Sequence, residues 1–141
     1  YSGFSPSLTQ TDPEKRAFDS LLVRMHDLYI ASPNSTQPGY SHSQGAMYLS
    51  PYETKFVSAE RCLAHKDRAA KIAEIHKQLS WLEENMVGGP YLTGDKICHS
   101  DMTWFPTCVF IEYMLPRAFG WPMIFHETEM FPKLTAWFEH L

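Results

Sequence analysis

The spacing of the apolar residues limits what this chain can fold into more than any other feature. Over its long stretches they step by three or four, the period of one helix face, and the polar positions do not alternate with the period of two that a half-buried strand needs. Asp12-Pro13-Glu14-Lys15 opens the first such stretch. Asp12 can accept orphan amide hydrogens as N-cap, Pro13 suits the first helical position, and Glu14 complements the positive end of the dipole. Phe18, Leu21, Leu22, Met25, Leu28 and Tyr29 then mark one face of a helix predicted over 12–31. A second stripe, Ala69, Ile72, Ile75, Leu79, Leu82 and Met86, predicts a helix from His65 to Met86. Gly88-Gly89-Pro90 stops it, with glycine expected to supply a left-handed cap and proline forbidding continuation. Each helix would be roughly 30 Å long, and two such rods packed antiparallel would form a spine.

From Asp101 to Tyr113 the helical pattern is apolar nearly all round, which predicts a helix buried at the centre of the domain. Leu115-Pro116 is expected to end it, and Gly120-Trp121-Pro122 to make a turn. A last amphipathic helix, Phe131 to Leu141, carries Leu134, Trp137, Phe138 and Leu141 on one side. Residues 1–11 are small and polar and read as a linker. Residues 32–50 read as a long surface loop, either a docking loop or an insertion, and a short helix is expected around Ser58–Ala64. The prediction is one all-α domain over 12–141, a bundle of about four to six helices.

A chain of 141 residues can bury roughly 68–70% of its unfolded surface, so it needs no metal or cross-link to hold a core. Its net charge of -4, with basic residues scattered, gives no footprint for nucleic acid. No run of 18 apolar residues suggests a membrane span. Cys62, Cys98 and Cys108 form an odd, widely spaced set with no zinc spacing, and the histidines form no HExxH, so no metal ligand is assigned. Free thiols in a reducing intracellular compartment are the simplest reading. The chain opens on Tyr1 with no signal-peptide pattern, which suggests an upstream segment outside this sequence.

The segment "GPYLTGDKICHSDMTWFP" resembles the turn and the start of the buried helix in the C-terminal domain of glutathione S-transferases. "FPKLTAWFEHL" is similar to that domain's closing helix, and "KIAEIHKQLSWLEENM" to the helix leading into the turn. The resemblance spans roughly residues 65–141 and extends more weakly to the helix at 12–31. In the family the buried helix opens with a capping box, Ser or Thr followed three residues later by Asp. Here the matching positions are Cys98 and Asp101, with a thiol in place of the hydroxyl. Ile97 and Met102 stand where a hydrophobic staple would pack. The resemblance implies a structural role for both cap residues. On capping alone Asp101→Ala should cost about 1–2 kcal/mol, and Cys98→Ser should be neutral or slightly stabilising.

The resemblance also implies what is missing. In the family a Ser, Tyr or Cys in a thioredoxin-like N-terminal domain activates glutathione, and none of those strand-rich elements is found in this sequence. No catalytic residue carries over. The helical half normally supplies the wall of the hydrophobic substrate pocket and much of the dimer contact. Met25, His26, Tyr29 and Tyr113 are the candidates for such a wall; core or interface packing is the competing reading for Met25 and Tyr29. His26 reads as an exposed polar neighbour, with no carboxylate or nucleophile assigned to it. Cys62 and Cys108 read as small buried hydrophobes, and Trp104, Phe105, Trp137 and Phe138 as core. His99-Ser100-Asp101 has the letters of a hydrolase triad, but adjacent residues cannot face one another in that geometry. Two functions follow. One is the helical half of a glutathione transferase, with a thioredoxin-like domain and a homodimer partner, and glutathione as co-substrate of the parent. The other is a non-catalytic module in a larger protein assembly.

Overall fold

A computed structural model of the chain describes residues 7–30 and 65–141. The expected loop at 32–50, the short helix around Ser58–Ala64 and Cys62 lie outside the described residues. The protein is all-α, as predicted: α1 (Pro13–Met25), a π-helical turn (His26–Ile30), α2 (His65–Asn85), α3 (His99–Phe119) and α4 (Pro132–His140). Among the described residues there is no strand, only an isolated bridge between Tyr91 and Gly94. None of these helices is long and apolar enough to cross a membrane.

Local chemistry sets the start of α1. Asp12 Oδ1 accepts from the amides of Glu14 at 2.8 Å and Lys15 at 3.0 Å, and Pro13 occupies the first turn. α1 then lies parallel to α3, because three polar contacts advance together along both helices. Asp19 Oδ1 accepts from the Ser100 amide at 2.8 Å, the Leu22 carbonyl from Trp104 Nε1 at 2.9 Å, and His26 Nε2 meets Thr107 Oγ1 at 2.7 Å. Around this pair Leu79, Leu82, Leu134 and Trp137 close a continuous core with Leu22 and Trp104. Each such side chain contributes roughly 1.5–3 kcal/mol by leaving water.

The structure corrects several sequence expectations. α3 does not stop at Pro116. It continues to Phe119 and is closed by Gly120, whose φ of 65° gives the left-handed cap, with the Gly120 amide on the Pro116 carbonyl at 3.0 Å. Proline removes one amide donor from a helix but does not forbid it when the flanking turns are held by packing, and both Pro106 and Pro116 lie inside α3. Nor is α3 buried all round. Trp104, Cys108, Ile111 and Leu115 face the core, while Met102, Val109 and Tyr113 are exposed. The positive-φ Gly89 (φ 142°) does not cap α2; it lets the chain close on Gly94, where a Cβ would run into the Gly94 carbonyl.

Part of the stretch expected as linker is docked. Gln10 is buried, and its Nε2 donates to Thr93 Oγ1 at 2.9 Å and to the Lys96 carbonyl at 3.1 Å. The start of α4 is capped from a distance. Phe131 offers no side-chain acceptor, so Glu83 of α2 takes the Lys133 amide at 2.9 Å and the Leu134 amide at 2.8 Å.

Candidate functional site

The four pocket candidates divide by exposure. Met25 is in the core, with 8% of its surface exposed, whereas Tyr29 and Tyr113 are about half exposed (49% and 54%). His26, expected as an exposed neighbour, is buried at 7%. Asp19, Leu22, His26 and Ile30 step by three and four residues and are all buried, so the inward face runs from α1 through the π-helical turn to one side of the predicted apolar stripe, and Leu28 and Tyr29 turn outward. α1's predicted apolar face is therefore only half buried, with Leu21 also outside.

His26 has the partners that the sequence did not assign. Besides Thr107, its Nδ1 lies 3.3 Å from Asp27 Oδ1, and its ring meets the edge of Trp104 at 5.4 Å. Burial holds the imidazole below its ordinary pKa, against the opposing pull of Asp27. Thr107, His26 and Asp27 thus follow the order of nucleophile, base and carboxylate. Yet Thr107 is 5% exposed, so no substrate carbonyl can approach its hydroxyl in this conformation. The arrangement joins α1 to α3 as a buried hydrogen-bond chain.

Asp101 is the second centre. It is fully buried at the third position of α3, and its Oδ2 accepts from the Cys98 amide at 2.9 Å, closing the capping box. Its other oxygen does more than cap. Oδ1 accepts from the Leu92 amide at 2.9 Å and from Trp137 Nε1 at 2.8 Å, so one carboxylate joins the Gly89–Cys98 turn, α3 and α4. The cap box was readable from sequence, but the indole partner, 36 residues downstream, was not.

The Cys98 thiol donates to Asp101 Oδ2 at 3.1 Å and lies 3.2 Å from both Thr93 Oγ1 and Ser100 Oγ. Burial and the neighbouring Asp19 carboxylate push this thiol up to about 11. Cys108 is also fully buried, and burial with the adjacent Glu112 charge raises its pKa as well. Neither is an activated nucleophile. Asp19 feels the opposite balance. Burial pushes its carboxyl up, but hydrogen bonds from Cys98, Ser100 and His99 outweigh this and hold it below the usual range. His99 and Asp101 do not form a triad with Ser100: His99 Nδ1 faces Asp19 Oδ2 at 3.4 Å, while Asp101 faces the turn.

The fold and these two centres define a helical domain built on a box-capped central helix, with no activated nucleophile among its described residues. The family described as "Glutathione S-transferase, C-terminal domain" matches residues 64–140, more than half of the chain and all of α3 and α4. The protein belongs to the glutathione S-transferase C-terminal domain family. No curated protein and no solved structure matches the chain.

Proposed function

We propose that the chain serves as the helical half of a glutathione transferase, supplying a wall of the apolar-substrate pocket and surfaces for a thioredoxin-like domain and a subunit partner. The observation that carries this reading is the outward stripe of α3. Met102, Val109 and Tyr113 recur at seven- and four-residue intervals on the face opposite the core, and all three are exposed. An exposed apolar stripe along one helix face suits an interaction surface. α1 offers a second stripe, Leu21 and Leu28, turned away from its contact with α3. Two faces suit two neighbours, one within the parent and one across a dimer. Tyr29 and Tyr113 are the exposed aromatic groups that an apolar electrophile would meet, and glutathione would be the co-substrate bound by the other half. A reducing compartment fits the two free, buried thiols. A non-catalytic assembly role remains the second reading, favoured by the same exposed stripes.

The test uses the longest natural polypeptide containing this chain, assayed with glutathione and chlorodinitrobenzene. The glutathione thiolate displaces chloride, forming the thioether. The expected result is turnover, with Tyr113→Ala raising KM for the arene and leaving KM for glutathione unchanged. A polypeptide with no strand-rich glutathione-binding half, or one that has it and does not turn over, refutes the enzyme reading and favours the assembly module.

A further inference from the structure

The bonds that hold residues 7–11 to the Gly89–Cys98 turn are few and polar. Gln10 Nε2 donates to Thr93 Oγ1 at 2.9 Å and to the Lys96 carbonyl at 3.1 Å. Lys96 Nζ returns one bond to the Thr9 carbonyl at 3.2 Å, on the surface. None of residues 7–11 belongs to the apolar core. A segment with so little apolar burial lies at the low end of local stability, below the helices it touches.

α1 does not depend on this segment. Its cap is made by Asp12, whose side chain takes the Glu14 and Lys15 amides and whose carbonyl takes the Arg16 amide at 2.9 Å. Lys15 Nζ reaches Asp95 Oδ1 at 3.0 Å and ties α1 to the turn directly. The turn in turn is held to α3 by the Leu92 amide on Asp101. The chain before Asp12 can therefore swing away with α1, the turn and α3 all left in place.

What the segment covers is the polar start of α3. Thr93 is fully buried, and its hydroxyl oxygen, which accepts from Gln10, also lies 3.2 Å from Cys98 Sγ. The Cys98 thiol gives its hydrogen to Asp101 Oδ2 at 3.1 Å, so the Thr93 hydroxyl hydrogen is the one that points to the sulfur. Gln10, Thr93, Cys98 and Asp101 thus form one buried chain of hydrogen bonds that runs from the segment before α1 to the cap of the central helix. Once Gln10 leaves, water takes its place on Thr93, one bond from the sulfur.

We propose that residues 7–11 are a strap that opens as a unit, ahead of the bundle, and uncovers the Cys98 end of α3. The strap couples the path of the chain entering α1 to the cap of α3: held down, it keeps the cap dry, and drawn off, it lets the cap hydrate. The coupling rests on these bonds and not on the transferase reading.

The test uses the full 141-residue chain carrying Cys62→Ser. It is labelled with N-ethylmaleimide over hours, at several urea concentrations below the unfolding transition, and each thiol is followed by peptide mass spectrometry. Slow labelling through a fast opening reports the population of the open form. Cys98 should label at least about tenfold faster than Cys108 and with little dependence on urea, because the strap exposes little surface when it opens. Cys108 should label only with the steep urea dependence of global unfolding. Gln10→Ala should raise the Cys98 rate about tenfold and leave the Cys108 rate unchanged. Leu134→Ala, a core change, should do the reverse, speeding Cys108 and leaving the urea-independent Cys98 rate as it was. The inference is overturned if the two thiols label together with one urea dependence, or if Cys98 fails to label below the transition. It is equally overturned if Gln10→Ala speeds both thiols or neither.

Discussion

Replacing Asp101 tests the central structural claim, that one buried carboxylate holds three parts of the fold together. In Asp101→Ala three buried N–H donors lose their acceptor, the amides of Leu92 and Cys98 and the indole Nε1 of Trp137, and the weakly donating Cys98 thiol loses one as well. Each orphaned buried donor costs about 1–3 kcal/mol. Three of them, partly relieved by water entering the vacated space, give an expected loss of about 3–5 kcal/mol. That exceeds the roughly 1–2 kcal/mol of an N-cap alone and is a large share of a typical domain's 5–15 kcal/mol or so. Asp101→Asn is the discriminating companion. It keeps an oxygen for Leu92 and Trp137 but turns a donor toward the Cys98 amide, so about 2 kcal/mol is expected. Urea unfolding followed by helical circular dichroism and by tryptophan fluorescence measures both, compared at unchanged m-value. A loss of 1 kcal/mol or less for Asp101→Ala refutes the reasoning. So does an asparagine variant as unstable as the alanine one.

Stability should fall on mild acidification because of His26. Burial holds its folded pKa below the ordinary imidazole value of 6.5, so the unfolded chain binds the proton more readily. The contribution is complete above about 6.5 and is lost as pH drops from there toward the folded value. His26→Gln should flatten that part of a urea-midpoint profile between pH 7.5 and 5. In a Cys62→Ser background Ellman's reagent should find no reactive thiol at pH 8 until urea is added, after which Cys98 and Cys108 both react; rapid labelling of the native protein would contradict their burial. Gly89→Ala should cost more than about 2 kcal/mol, because it combines a positive φ with a clash against the Gly94 carbonyl. Gly88→Ala meets nothing within 4 Å and should stay within about 0.5 kcal/mol of the parent when both variants are compared by urea unfolding.

What was legible in the sequence was local. Asp12 announces α1 because the amides it satisfies are two and three residues away, and Cys98 with Asp101 announces α3 for the same reason. The partners that lie far along the chain were not legible. Glu83 reads as one more acid on a helix surface, yet it caps α4 fifty residues later. The only hint was Phe131, a side chain that cannot cap, directly before Pro132: a helix start with no acceptor of its own implies one supplied from elsewhere, without saying which. Glu112 gave no hint at all, since its role depends on a turn that folds back over α3. His26 is misplaced because the inward face of α1 follows Asp19 and Leu22, and the polar Asp19 gives no apolar signal of where that face lies.

The near-uniform apolarity of α3 was the most informative misreading. A helix without a polar face suggests burial on all sides, but only the side bearing Trp104, Cys108, Ile111 and Leu115 is covered. The other side, Met102, Val109 and Tyr113, keeps the same chemistry while facing solvent. Both observations fit if the sequence of α3 was selected for a larger body than these four helices, with the inner face serving the bundle and the outer face a neighbour. Charging the outer face should then separate the two roles. Val109→Asp would leave the stability of the bundle within about 0.5 kcal/mol, as surface changes usually do. In the parent polypeptide it should weaken whatever docks on α3. If it instead unfolds the isolated chain by several kcal/mol, the outer face belongs to the bundle's own packing and the docking argument fails.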